Sequence, residues 1–441
     1  MQTGSATVVA PSGQSVPSGV AIFGYRPNGV LISEAGVPAT APALRGRIYA
    51  SVDGAVNTGI AMANPNSSDA TVSFFFTDSN GASFGNGSLT IPAHGQLAHF
   101  LNEAPFNASQ LKSGTFSFTS NVPVSAIAIR GLTNERSEFL VTTLPVANPD
   151  SPASGSVFFP HFADGAGWTT QFVLVNPSEQ TISGTLKFYG QGNPGSQAPS
   201  LSLNIDGSTT SQVTYSIPPR SSKRFSTMND SGQMTVGTAQ VLPALYNASP
   251  VGVAIFSYHN AGMTIAEAGT PSMSLGNAFR MYAEADKTNL IVTAIAVQNA
   301  GPSDATVNFE LTALDGTSAG LTGQLVIPAN GQRSVFLNQI PGFENLPSPF
   351  KGVLRASTTN PVISVLGVRS RWNERGDFIF TTTPATNENA PAGSQLMFPH
   401  IVNGGGYSTQ FIMFSGTPSQ PTNGNLQIFS QSGGSLNVNL Q

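Results

Sequence analysis

Internal repetition constrains this chain more than any single motif. GVAIFGYRPNGVLISEAGVP (Gly19 to Pro38) returns as GVAIFSYHNAGMTIAEAGTP (Gly252 to Pro271). DATVSFFFTD at Asp69 returns as DATVNFELTALDG at Asp304, and LTIPAHGQ at Leu89 as LVIPANGQ at Leu325. NERSEFLVTTLP at Asn134 returns as NERGDFIFTTTP at Asn373, and FPHFADGAGWTTQF at Phe159 as FPHIVNGGGYSTQF at Phe398. The offsets run from 233 to 239 residues, so the 441-residue chain holds slightly less than two long repeats.

Each long repeat divides again. PVGVAIFSYHNAGMTIAEAGTP (250–271) and ISVLGVRSRWNERGDFIFTTTP (363–384) share one pattern: an apolar run, a polar tip ending in Gly, a second apolar run, then Pro. That pattern predicts a β-hairpin with a type I turn and a left-handed glycine. The hairpin closes two kinds of module, a long and a short type. In chain order these are the second half of a long module (1–38), a short module (45–145), a long one (156–271), a short one (277–384) and the first half of a long one (395–441). Short Pro-rich joints such as VANPDSPASG and ATNENAPAG separate some of them.

Strand-like runs in the first short module fall near 46–52, 58–64, 70–77, 88–92, 95–101, 114–119, 122–130 and 137–144, with turn signals between them. Seven or eight short strands in about 100 residues is the count of an immunoglobulin-like sandwich. VPVSAIAIRG is apolar at both alternating sets of positions, as expected of a strand inside a sandwich. No segment has a helical pattern. Only 9% of residues are charged, with 46 Gly and 32 Pro, so Ser, Thr, Asn, Gln and Gly must cover the surface; that suits strands and turns. The expected fold is all-β, with tandem immunoglobulin-like β-sandwich modules in an elongated array.

The net charge of −4 and the absence of basic blocks argue against nucleic acid or an anionic membrane as partner. No run of about 18 apolar residues offers a membrane span, and no signal peptide follows Met1. With no cysteine there is neither a disulfide framework nor thiolate chemistry. That composition suits a chain that works outside the cell or on its surface without needing oxidation.

The stretch TGIAMANPNSSDATVSFFFTDSNG, followed by LTIPAHGQLAHF, resembles bacterial Ig-like repeat modules of large secreted or surface proteins. The resemblance covers essentially the whole chain. It implies an extracellular sandwich array and no particular ligand, since such modules serve as spacers, adhesins and carbohydrate-facing domains alike.

Candidate sites are few. His161, Asp164 and Trp168 in the opening motif suggest a sugar site, with Trp168 stacking on a ring, but the second copy has Asn403 and Tyr407 in place of Asp164 and Trp168. A general acid or metal ligand does not survive Asp→Asn, so a strand–turn–strand hairpin is the simpler reading. His94 and His99 lack a third ligand at metal-binding spacing. Asp53, Asp78, Asp164, Asp206 and Asp315 sit in turns without the alternating oxygens of a calcium loop, and are expected to make hairpin turns. In RSRWNERG, Arg369, Asn373, Glu374 and Arg375 recur in the other short module while Trp372 does not. That suits a turn or module-joint salt bridge, with Trp372 a possible ligand contact. Nucleophile elbow, zinc-binding helix and phosphate loop are all missing, so neither catalysis nor a cofactor or metal is expected.

The repeat phase carries the functional expectation. The C-terminal segment is the first half of a long module and the N-terminal segment the second half; the counterpart of about Gly207 to Gln233 is in neither. A half sandwich exposes strand edges and an apolar face. The expectation is head-to-tail completion between subunits, giving a homopolymeric filament or surface array. Ala6, Val8, Val20, Ile22, Phe411, Ile428, Phe429, Leu436, Val438 and Leu440 would form the interface. The alternative is an adhesin or carbohydrate-binding module array, a fragment of a longer repeat protein, facing surface glycans.

Overall fold

The computed structural model describes every residue except 13, 109–110, 391–392, 394, 418–421 and 439–441. The regular structure of the described chain is nearly all β-strand, without an α-helix; two single 3-10 turns, Pro27–Gly29 and Leu337–Gln339, are its only helical elements. No helix is long and apolar enough to cross a membrane.

Residues 157–271 show the building unit. Its eight main strands are Val157–Asp164, Trp168–Val175, Ile182–Tyr189, Gln212–Ile217, Ser222–Ser226, Thr235–Pro243, Val251–Asn260 and Met263–Pro271, with a small hairpin, Leu203–Ile205 and Ser208–Thr210, before the fourth. Numbered in this order, one sheet runs 1-6-3-4 and the other 5-2-7-8, all antiparallel. Phe159, Phe162 and Phe188 of the first sheet meet Phe172 and Phe256 of the second in one core, so the unit is a β-sandwich. The order is not that of an immunoglobulin domain, where the first strand lies in the sheet of the second and fifth; here it pairs with the sixth.

The short units repeat this order. In residues 43–144 the strands are Ala43–Ala50, Val56–Ala63, Ala70–Asp78, Ser83–Ile91, Gln96–Phe100 and Phe139–Leu144, while the sixth and seventh are one long strand, Gly114–Thr133. Its first part pairs with Ala43–Ala50 and Ala70–Asp78, its second with Val56–Ala63 and Phe139–Leu144. Residues 278–383 match, with first strand Ala278–Asp286 and eighth strand Phe378–Thr383.

The hairpin tips differ by type. At Asn373 to Asp377 the Gly376 N–H donates to Asn373 O and Gly376 has φ 78°, the expected type I turn with a left-handed glycine. In the long unit Ala261 and Gly262 both have positive φ, 50° and 79°, so that tip is a two-residue turn whose twist matches the flanking strands.

The four units form a ring instead of an elongated array. Each unit turns the outer face of its 5-2-7-8 sheet toward the unit before it. Val173, Val175, Val253 and Ile255 join the core of 43–144, and Ala296, Leu366, Ile379 and Phe380 join that of 157–271. Val20, Ile22, Ile412 and Phe414 pack on Tyr282 and Val353, while Ala61, Ile127 and Val141 close the circle against the unit built from both chain ends. This is why VPVSAIAIRG is apolar on both faces: Ala126 and Ala128 fill their own sandwich, and Ile127 enters the core shared with the neighbour.

At the ring centre the four eighth strands meet. Gly36 donates its N–H to Thr381 Oγ1 (2.7 Å) and accepts from Thr143 Oγ1 (3.0 Å). Gly269 does the same with Thr142 Oγ1 and Thr382 Oγ1. A Cβ on Gly36 would lie 2.0 Å from Thr382 O, and one on Gly269 2.4 Å from Thr143 O. The recurring Glu-Ala-Gly and Thr-Thr motifs are the two halves of this hub. Gly36→Ala is expected to cost about 1–3 kcal/mol through backbone displacement. Gly190→Ala, whose Cβ would have no neighbour nearer than 3.6 Å, is the control; urea unfolding of both variants checks this.

Candidate functional site at the unfinished fourth sandwich

The two copies of the opening motif occupy equivalent places in the second and fourth sandwiches. Gly165, Ala166 and Gly167 all have positive φ, as do Gly404, Gly405 and Gly406. The chain there turns from one sheet into the other: Val157–Asp164 and Trp168–Val175 belong to opposite sheets. The segment is an arch joining the sheets, not the expected hairpin, and Asp164 accepts the Asn229 N–H (3.0 Å) instead of making a hairpin turn. Trp168 lies between Tyr258 (4.9 Å) and Phe380 (5.0 Å) at the joint with the third sandwich.

The motif histidines are half-buried in joints between sandwiches. His161 Nδ1 is 3.1 Å from Gln332 Nε2 of the next sandwich, and His400 Nδ1 is 3.1 Å from Gln96 Nε2 of the first. The recurring Phe-Pro-His and Ile-Pro-Ala-x-Gly-Gln motifs therefore hold each other. Burial pushes both imidazoles down to about 4.

Of the other sequence candidates, His94 stacks on Phe429 (5.3 Å) and His99 lies 3.3 Å from Glu103. Asp53, Asp78, Asp206 and Asp315 sit at hairpin turns. Among the described residues no three metal-ligating side chains gather. Trp372 packs on Phe378 (5.2 Å) and remains half exposed. The recurring charged tips do join modules. Arg136 pairs with Asp377 (2.8 Å), Arg375 with Glu138 (2.5 Å), and Glu374 with Arg26. Arg369, fully enclosed, pairs with Glu34 and with Glu284 (2.9 Å).

The terminal halves meet as their repeat phase requires, but within one chain. Gln2–Val9 runs between Gln395–Asn403 and Asn425–Ser430, and Ser18–Tyr25 runs between Tyr407–Phe414 and Ser33–Pro38. Ala6 faces Phe398 and Ile428, Val20 faces Ile412, Ile22 faces Gln410, and Val8 faces Leu396 and Leu426 in these ladders. Phe411, Ile428 and Leu436 pack against the joint core, Phe429 reaches His94, and Val438 is half-buried; Leu440 lies outside the described residues. The edges expected to receive a neighbouring subunit are filled in cis, because one chain carries both halves and the ring brings them together.

Among the described residues the fourth sandwich has six strands, ordered 1-6-3 and 2-7-8. In the second sandwich Gln212–Ile217 pairs with Ile182–Lys187, and Ser222–Ser226 with Gln171–Val175. The matching edges of the fourth, Asn425–Gln427 and Gln410–Phe414, carry no strand on that side among the described residues.

A change in the loop after the second strand accompanies this. Asn64, Asn176 and Asn299 are buried, and each donates Nδ2–H to the two carbonyls of the Ile-Pro ending its fourth strand. The fourth sandwich has Ser415 at this position.

A cavity of 880 Å³ lies where the third sandwich meets this gap, lined by Arg280, Leu314, Val353, Arg355, Met413 and Phe414 among others. The equivalent arginine between the first and second sandwiches, Arg47, is fully buried and bonded to Ser117 Oγ, Asn176 O and Glu179 Oε1, at 2.8, 2.9 and 3.1 Å. Arg280 has none of these. Arg355 replaces Ser117 in the ladder, and Ser415 to Asn423 contains no acidic residue to replace Glu179. Arg280 is 8% exposed, its Nε lacks a partner among the described residues, and burial pulls its pKa below the ordinary arginine value. Sequence reasoning missed Arg280, Gln96 and Gln332. Their signal was present in the repeats, as an arginine kept while its acidic partner is lost and as a Gln repeated beside a varying neighbour.

The histidines make stability pH-dependent. A base with a depressed folded pKa is neutral in both states above about 6.5; below that the unfolded chain takes up protons first. Stability is therefore expected to fall from pH 6.5 to about 4, by roughly 3 kcal/mol per histidine. Urea midpoints across this range check it, with His161→Gln/His400→Gln flattening the slope. No protein-family model and no curated protein matches this sequence.

Proposed function

We propose that this is a non-enzymatic structural protein of the cell exterior that joins other chains, its own copies first, by β-strand addition at the fourth sandwich. One observation carries the reading: the first three sandwiches each have a fourth and a fifth strand, and among the described residues the fourth sandwich has neither, so Asn425–Gln427 and Gln410–Phe414 have no strand on their outer sides, although Leu436 bonds to Ile428 beside the first of them. Bare edges template further strands unless covered or charged. Exchange of terminal half-modules between copies remains compatible with this reading only as a swap, since it requires the cis pairs of Gln2–Val9 and Ser18–Tyr25 to open. The sparse charge and the absence of cysteine support an exterior location, and the strand count supports the likeness to bacterial Ig-like modules, while the strand order differs from the immunoglobulin one. The glycan-binding alternative has less support because half-buried Trp168 already packs between Tyr258 and Phe380, while Trp372 is the more exposed of the two tryptophans.

Electron microscopy and light scattering across a concentration series are expected to show higher assemblies of the purified protein. Met413→Lys, which places a charge on the open second-strand edge, should reduce them. Assemblies that persist unchanged in this variant would exclude the edge as the junction.

A further inference from the structure

We infer that the cleft between the third and fourth sandwiches is a receptor for a strand–turn–strand segment of a partner polypeptide, apolar at alternate positions, whose turn provides an acceptor for Arg280. This rests on the strand-addition reading above and names the partner's chemistry.

The molecule carries its own template for the occupant. Between the first and second sandwiches the same joint is filled by the built-in hairpin of the second. Its strands place Tyr215, Ile217 and Phe225 in the core, and its turn, Pro218 to Ser222, lies against the first sandwich. Ser221 Oγ donates to Asp78 O (2.5 Å), Ser222 Oγ to Gly114 O (3.0 Å), and Thr115 Oγ1 to Arg220 O. In the third sandwich Ala313 pairs with Gly352 as Asp78 pairs with Gly114, so the same backbone platform faces the fourth. Val353 stands where Thr115 stands and lines the cavity.

Two observations separate this cleft from an ordinary surface groove. The edges Asn425–Gln427 and Gln410–Phe414 lie in the two facing sheets, at the positions that receive the two arms of a hairpin in the second sandwich. The guanidinium of Arg280 is enclosed without a partner for Nε, a costly state for a buried charged donor unless an incoming group accepts from it. The charge around it fits one further acceptor. Arg355 is held bidentately by Glu388 (2.8 and 3.0 Å) with Glu310 beyond (3.5 Å), and both carboxylates also act on Arg280 through charge, so what Arg280 lacks is a hydrogen-bond acceptor for Nε and not a counter-charge. The Asn that clamps the turn in the other three sandwiches is replaced by Ser415, so the fourth sandwich grips its occupant differently, and Arg280 takes over the turn. A turn carbonyl or carboxylate satisfies it equally.

The probe is a synthetic peptide spanning Ser211–Thr227 of this sequence, added to the full-length protein under hydrogen–deuterium exchange and isothermal titration calorimetry. Saturable 1:1 binding that protects amides of 410–414 and 425–427 is expected, with a scrambled peptide inert and a Tyr215→Asp/Ile217→Asp peptide at least tenfold weaker. Arg280→Met should weaken binding by about tenfold or more, the value of a hydrogen bond to a charged group. Lack of saturable binding, protection elsewhere while both edges stay unprotected, or equal affinity in Arg280→Met would each overturn the inference. Peptide binding by a protein that never self-assembles would instead remove the homopolymer reading and leave the receptor standing.

Discussion

The close approach at the ring centre, where Gly36 and Gly269 meet the threonine-bearing strands of both short sandwiches, is what the rest depends on. Each glycine backbone is hydrogen-bonded to two neighbouring sandwiches at once. This fixes four eighth strands around one axis, so each 5-2-7-8 sheet meets a neighbour on its outer side and must be apolar there. The low charge of the chain follows: faces that would be polar in an isolated sandwich are interior in the ring. The ionic residues that remain gather at joints, where Arg369 between Glu34 and Glu284 and Arg130 beside Glu267 (3.1 Å) hold adjacent sandwiches in register. Buried pairs of this kind add little net stability, yet removing one partner is costly, so they fix geometry more than they strengthen it.

Much of this was legible in the sequence, because a repeat writes the same structural demand twice. The strand runs, the long and short units and the broken phase of the terminal halves all follow from letters at fixed offsets. What the letters do not encode is whether a strand's partner lies on the same chain. Val8 beside Leu396 satisfies the same pattern in cis or in trans, and only the geometry of the ring brings the two ends together. The opening motif misled for a local reason. Glycine-rich turns reverse a chain within a sheet or carry it across to the facing sheet, and the difference lies in three successive positive φ values that composition does not reveal. VPVSAIAIRG misled because two-sided burial looks the same whether the second face meets its own sandwich or another.

The candidate site was half legible. Its cause, the absent counterpart of Gly207 to Gln233, stood in the sequence as a gap. Its chemistry did not, because Arg280 looks like any framework arginine until its twin Arg47 is seen with a full set of acceptors. The informative contrast lies between two copies of one joint, one furnished and one not.

Closing the ring with strands from both ends also sets an order of events. Gln2–Val9 comes off the ribosome among the first residues of this stretch, yet its ladder partners begin only at Gln395, and Ser18–Tyr25 has only the Ser33–Pro38 hairpin until Tyr407–Phe414 follows. At ordinary synthesis rates that interval is roughly 20–70 s. Throughout it Gln2–Val9 has no sheet to enter and Ser18–Tyr25 has one ladder of its two, while the first three sandwiches can fold beside them. The fourth sandwich is therefore assembled last of the four, from the earliest and the latest strands of this stretch. Until then the nascent chain carries an unpaired strand, and neighbouring chains on one message are the nearest copies able to meet it.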